Sequence, residues 1–197
     1  MAQRSYRWIM VTLAVTGLAA DQGSKYGMFN CLYNGTPRND RDVIPGWFKF
    51  TAEYDSSVQP CDCWVRSLQT ASAPEMPRVN HGALFGLGGE HKGDANQIFA
   101  GISMLAAAGI MVWASRKATA QDRWLCAALG LILGGTLGNL YDRLVFNGVR
   151  DFLYFYKIEW PVFNVADCCL VVGAIILLAH AFFSREKPAT PPTTPAA

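Results

Sequence analysis

Charge is scarce in this chain. Of its 197 residues only 16% are Asp, Glu, Lys or Arg, against about a quarter in an ordinary soluble domain. The net charge is +2 and no basic run interleaves with aromatics, so the composition does not point to a nucleic-acid partner. Histidine is rarer still, with only His81, His91 and His180, and the six cysteines form no CxxC pair. Neither a metal site nor a cofactor is expected from such a set. Cys168 and Cys169 have no histidine in sight, so they read as small packing residues rather than nucleophiles. What is plentiful is apolar. The chain is 51% hydrophobic, its mean hydropathy is +0.15, and long uncharged runs recur. These features point to a membrane protein.

Four runs are candidate spans. The first begins after Arg4 and Arg7 and covers Trp8 to Ala20. A basic start, a short apolar run and the small residues Gly17, Ala19 and Ala20 also describe a cleavable secretory signal. The run resumes, however, as Tyr26-Gly27-Met28-Phe29. Asp21 and Lys25 between them are one helical turn apart and can pair on one face. A retained first span is expected. The second span is Ile98 to Ala114, near the lower length limit for crossing a bilayer. The third runs from Trp124 to about Tyr141, with Gly130, Gly134 and Gly138 one turn apart. They form a smooth stripe for close approach of another helix, and one more turn reaches Asp142, which should face the bundle interior. The fourth is Val165 to Phe183. An aromatic-rich connection, 144 to 161, joins the last two and suits a membrane interface.

Residues 30 to 96 are too polar to span and form an expected extracytoplasmic lobe. Trp47 to Tyr54 alternates, with Phe48, Phe50 and Tyr54 on one face, and reads as a half-buried strand. Residues 55 to 79 read as a loop insertion with little regular structure. Asn80 to Phe85 is a second strand or extended loop able to pair back on the first. A disulfide from Cys31 to Cys61 or Cys63 is open in an oxidising space. Residues 184 to 197, rich in Pro and Thr, read as a disordered cytoplasmic tail. Arg4, Arg7, Arg116, Lys117, Arg123, Arg185 and Lys187 outweigh Arg143, Arg150 and Lys157 of the short connection. By the positive-inside rule both termini are cytoplasmic, and the lobe shares the outer face with the 138 to 167 stretch. The expected fold is an all-α membrane protein, with four transmembrane helices and a small β lobe in one domain over 1 to 183.

Chemistry concentrates between Gly138 and Asp167. Asp142, Asp151 and Asp167 lie there with Asn139, Arg143 and Asn164. Ionisable residues at the edge of apolar spans are functional candidates. If Asp151 and Asp167 meet, repulsion keeps one protonated, and the pair can activate a water as an aspartic protease does. The residues alone favour the plainer reading, in which Asp167 stabilises its helix N-terminus, Asn164 caps it, and Asp151 pairs with Arg150 or Lys157 in solvent. A receptor whose lobe binds a partner, or a small proton-coupled transporter, would also fit these residues.

A set of short boxes in order narrows this. Asp21-Gln22-Gly23-Ser24-Lys25, Asn80-His81-Gly82-Ala83-Leu84-Phe85, Gly138-Asn139-Leu140-Tyr141-Asp142-Arg143, Val149-Arg150-Asp151-Phe152 and Phe163-Asn164-Val165-Ala166-Asp167 together resemble bacterial lipoprotein signal peptidase, or signal peptidase II, over residues 8 to 183. The resemblance implies an aspartic endopeptidase of the bacterial inner membrane. It would cut diacylglyceryl-modified prolipoproteins just before the lipidated cysteine, with Asp151 and Asp167 as the catalytic dyad. It implies a supporting shell of Asp21, Lys25, Asn80, Gly82, Asn139, Asp142, Arg143 and Asn164, a β cradle from the lobe, a retained first span, and no cofactor. The partners implied are the prolipoprotein and membrane lipid, and a monomer is expected. Leu84 departs from the family's usual small residue, Cys168 from its Ser or Ala, and residues 55 to 79 are an insertion.

Overall fold

The computed structural model describes residues 4–82 and 92–183. In chain order these form α1 (Arg7–Leu32), β1 (Arg38–Ile44), β2 (Phe48–Asp55), α2 (Arg66–Gln69), β3 (Met76–Pro77), α3 (Lys92–Ser115), α4 (Lys117–Ala120), α5 (Arg123–Phe146), β4 (Leu153–Tyr154), a 3₁₀ turn at Tyr156–Ile158 and α6 (Val165–Phe183). Three of the helices, α3, α5 and α6, are long and apolar enough to cross a membrane. Their outer faces are built for lipid. Ile98, Ile102 and Leu105 on α3, and Val171, Ile175, Leu178 and Phe182 on α6, are all exposed. Helices apolar on the outside cannot be stable in water alone.

The fourth long helix, α1, runs unbroken for 26 residues through Asp21 and Lys25. Both of these side chains are fully buried, so the charges that interrupt the apolar run point inward.

Helix α5 is the hub and packs on α1, α3 and α6. Its glycines explain how. A Cβ added at Gly130 would lie 2.6 Å from the Met10 carbonyl oxygen, and one at Gly134 would lie 2.8 Å from that of Ala14. One at Gly138 would lie 2.5 Å from Asp21 Oδ2. The partner of the stripe is therefore α1, and the stripe ends at a buried carboxylate. Gly135, on the neighbouring face, admits the Ala166 backbone of α6 in the same way. At the other end of the bundle Asp122 caps α5. It accepts from the Trp124 and Leu125 amides at 2.9 and 3.0 Å, and its other oxygen meets His180 Nε2 of α6 at 2.5 Å.

The lobe departs from expectation in several ways. β2 is found where a strand was expected, and Ala52 and Tyr54 are buried against Phe29, Leu32 and Phe152. Thr51, on the face expected to meet solvent, is buried as well. β1 has no strand signature in its sequence. It is an edge strand with one buried residue, held by antiparallel pairing to β2 and by Arg38–Glu53 and Lys49–Asp40 ion pairs at 3.1 and 2.6 Å. Such cross-strand pairs and a charged edge are how exposed strands persist without a hydrophobic face. β3 and β4 also pair with β2.

Asn80 does not pair back on β2. It forms an isolated bridge with Val149, two N–H···O bonds of 2.8 Å, while residues 83–85 of that expected strand lie outside the described residues. So do the departure at Leu84, His91 and the tail from 184.

The 55–79 insertion is more ordered than expected. It contains α2 and β3, and its Gln69 is buried and donates to the Val145 carbonyl at 2.6 Å. Tyr26 donates to the Leu68 carbonyl at 3.1 Å and Ser72 to that of Tyr26 at 3.2 Å. These bonds pin the insertion to the C-terminal ends of α1 and α5. The cysteine expectation is corrected as well. Cys61 bridges Cys63, and Cys31 is free.

Candidate active site

The first turn of α6 is a reciprocal cap. The Asp167 amide donates to Asn164 Oδ1 at 3.0 Å, and the Asn164 amide donates to Asp167 Oδ2 at 3.1 Å. This is a capping box with aspartate in the third position. The cap reading of both residues therefore holds, but it does not exhaust them. Asn164 Nδ2 also donates to Asp151 Oδ1 at 2.6 Å and to Asn139 Oδ1 at 3.1 Å. Asn139 Nδ2 in turn donates to Asp167 Oδ1 at 2.9 Å. One asparagine thus holds both aspartates, and a second, from α5, closes the ring.

Asp151 lies on the connection between α5 and α6. Its Oδ2 accepts from Asn80 Nδ2 at 3.1 Å. Asn80 is itself fixed, because its Oδ1 accepts the Gly82 amide at 2.9 Å. Gly82 has φ +88°, a conformation that favours glycine, and a Cβ there would strike the Phe99 ring. Burial, and then the charge of Asp167, push the Asp151 carboxyl up to about 7, against the pull of the Asn80 and Asn164 hydrogen bonds. Near neutral pH it therefore holds a proton for a sizeable part of the time.

Beneath the aspartates lies a sealed ionic network. Lys25 Nζ reaches Asp21 Oδ2 at 2.8 Å, Asp142 Oδ2 at 3.3 Å and Asn139 Oδ1 at 3.2 Å. Asp21 Oδ1 accepts the Ala166 amide at 2.9 Å. Gln22 Nε2 donates to Asp142 Oδ1 at 3.2 Å and to the Gly138 carbonyl at 3.0 Å. Arg150 is fully buried and clasps Asp142. Arg143 donates to the Asn139 carbonyl at 3.3 Å and lies over the Phe99 ring. Its Nε is buried without a partner.

All ten residues singled out in the sequence, Asp21, Lys25, Asn80, Gly82, Asn139, Asp142, Arg143, Asp151, Asn164 and Asp167, come together here. Arg150 and Gln22 were missed. The reading that paired Asp151 with Arg150 or Lys157 in solvent is corrected, since Arg150 binds Asp142 and Lys157 sits over the Trp47 ring at 3.5 Å. One signal pointed to Arg150. In an extended segment neighbouring side chains face opposite ways, so a residue beside a site-facing Asp151 must face the bundle.

Residues 76–183 match the family model of signal peptidase (SPase) II. A lipoprotein signal peptidase of Rhodopirellula baltica is 44% identical over 89% of this chain and 72% of its own length. One of Pseudomonas syringae pv. tomato is 35% identical over 91% of this chain and 87% of its own. A bacterial membrane enzyme solved by the in meso method superposes with a TM-score of 0.67 at 22% identity, covering 94% of this chain and all of that one. At that identity the likeness concerns the fold. Since the family match spans more than half of the chain and these relatives align with nearly all of it, this chain belongs to the signal peptidase II family.

Proposed function

We propose that the chain is a membrane aspartic endopeptidase that removes the signal peptide from diacylglyceryl-modified prolipoproteins, cutting just before the lipidated cysteine. The observation that carries this reading is that one residue, Asn164, bonds both carboxyls, that of Asp151 through its side-chain amide and that of Asp167 through its backbone N–H. In the proposed reaction, ionised Asp167 takes a proton from a water. The water oxygen bonds to the carbonyl carbon of the scissile peptide, while protonated Asp151 gives its proton to the carbonyl oxygen. The tetrahedral species then collapses. The C–N bond breaks as the leaving nitrogen takes the proton held by Asp167, and one hydroxyl of the tetrahedral species returns its proton to Asp151, which restores both aspartates to their starting states. No covalent enzyme intermediate forms. Two donors, the Asn139 amide group and the Asn164 backbone N–H, hold the Asp167 carboxylate in place.

The proposed frame is one membrane domain over 1 to 183, with α1 as a fourth span because its charges are turned inward. Both termini are cytoplasmic, and the site is near the outer face of the inner membrane under the lobe. A lipidated substrate would then reach the site by lateral movement, with its acyl chains beside the apolar outer faces. Burial of those chains supplies affinity with little reading of sequence.

The test uses the full chain in detergent or lipid with two substrates of one sequence, a prolipoprotein with and without its diacylglyceryl group. Cleavage confined to the lipidated form, before its cysteine, is expected. Equal cutting of both forms, or cutting elsewhere, would contradict the reading.

The pH profile is a second expected result. Asp151 must keep its proton, and its carboxyl is raised to about 7, so the rate should fall as pH rises through about 7. Because the reaction needs one protonated and one ionised aspartate together, a bell-shaped profile is expected. A rate that stays flat from roughly pH 6 to 9 would remove Asp151 from the proposed acid role.

A further inference from the structure

Residue 150 stands directly before Asp151 and takes no part in the proposed proton transfers. Its side chain is among the most deeply buried in the protein. Nη2 donates to Asp142 Oδ1 at 2.8 Å and Nε donates to Asp142 Oδ2 at 3.2 Å, a fork on one carboxylate. The Arg150 backbone N–H donates to the same Oδ2 at 2.9 Å. Nη2 also donates to Gln22 Oε1 at 2.9 Å. The guanidinium lies against two rings, 4.3 Å from the centre of Tyr26 and 3.9 Å from that of Phe146.

A buried ion pair is weak evidence for stability, because apolar residues of similar volume often do as well. Its geometry says more. Asp142 grips residue 150 by side chain and backbone at once, which fixes the rotation of the chain there. Val149 is tied to Asn80 and Phe152 to Phe163 on either side. With residue 150 turned into the bundle, Asp151 is turned out toward Asp167. The other aspartate is held in a parallel way. Asp21 Oδ1 accepts the backbone N–H of Ala166, the residue directly before Asp167. Lys25 ties Asp21 to Asp142. Each aspartate is thus preceded by a residue whose amide is anchored on a buried carboxylate, and one lysine joins the two anchors.

We infer that Arg150 is a positioning residue. With Asp142 as its anchor it aims Asp151, and through Lys25 and Asp21 the same buried network sets the distance between Asp151 and Asp167. This rests on the proposed role of the two aspartates. It adds that their spacing is held from below by a forked guanidinium, which a lysine cannot reproduce.

Arg150→Lys tests it, because lysine keeps the charge that neutralises Asp142 but loses the fork and the stack. The full-length variant and wild type are compared in detergent with the lipidated prolipoprotein. The expected result is a kcat lower by about 10-fold or more, in line with the cost of small misplacements, with KM within about twofold of wild type. Gln22→Met removes one acceptor of the same guanidinium and leaves the charge pair intact. Its kcat should fall less, again with KM unchanged. In the double variant kcat should fall no further than with Arg150→Lys alone, because both act on one unit.

Folded Arg150→Lys with wild-type kcat overturns the inference. If Arg150→Lys does not fold, Gln22→Met decides, and wild-type kcat there overturns it equally. Loss confined to KM would mean a role in substrate binding and would also overturn it. Wild-type protein that cuts no lipidated substrate sinks the proposed function itself, so the two failures are told apart by the wild-type control.

Discussion

Asp151→Asn should leave a folded protein that no longer cleaves. The substitution is close in shape to the carboxyl it replaces, and the network around it limits the structural cost. Asp151 accepts from Asn164 Nδ2 at one oxygen and from Asn80 Nδ2 at the other. An amide has only one oxygen, so one of these donors would face an NH₂ group, a cost of about 1–3 kcal/mol. Against that, the variant no longer holds a carboxyl that burial and Asp167 resist ionising. The two effects oppose each other, and the fold is expected to stand.

The chemistry should not survive. An amide at 151 has no acidic proton to give the carbonyl oxygen. Loss of a general acid is typically worth 10²–10⁴-fold, and here a rate lower by roughly 10³-fold or more is expected. Asp167→Asn should lose as much, for the opposite reason, since it removes the base that takes the proton from water. Single-turnover cleavage beside a thermal unfolding curve separates chemistry from folding. A folded Asp151→Asn or Asp167→Asn variant that cuts within about 10-fold of wild type would place the catalytic acid and base elsewhere.

What could be read in the sequence was what repeats or stands alone. The apolar runs at 98–114, 124–141 and 165–183 fall within α3, α5 and α6, because burial in lipid needs only length and apolarity. The glycine stripe on α5 announced a close helix partner, and the buried face of Asp142 followed from it. The Asp21–Lys25 pair was legible from its spacing alone. What failed to appear in the sequence depends on partners far along the chain. β1 is polar and earns its strand conformation from β2 and cross-strand ion pairs. The insertion gains order from Gln69 reaching Val145, a bond between residues with no local relation. Arg150 looked like a solvent-facing cation because arginine on a connecting loop commonly is one. Only the fold brings Asp142, Gln22, Tyr26 and Phe146 around it.

Lys25→Met should be the most destabilising single change in the buried network. Lys25 is sealed from solvent and serves Asp21 at 2.8 Å, Asp142 at 3.3 Å and Asn139 at 3.2 Å. Methionine fills similar space but carries no charge. Asp142, fully buried, would keep its ion pair with Arg150, while Asp21, also fully buried, would lose the lysine that pairs with it. Removing one partner of a buried ion pair costs about 3–5 kcal/mol, because the charge left behind is neither solvated nor paired. Against a total stability of about 5–15 kcal/mol that is a large share. Thermal unfolding in detergent should show it directly. The compensating variant supplies the control. Asp21→Asn in the Lys25→Met background removes the stranded charge, while its amide oxygen can still accept the Ala166 N–H. It should recover most of the loss. A Lys25→Met protein that melts within about 1 °C of wild type would mean that the network is not held by this charge. Where the variant stays folded, the anchor of Ala166 on Asp21 should loosen. Asp167 then shifts relative to Asp151, and kcat falls before KM does. Stability and catalysis are thus expected to fail together at Lys25, because the cation that neutralises the core also joins the two carboxylates that hold the aspartates in place.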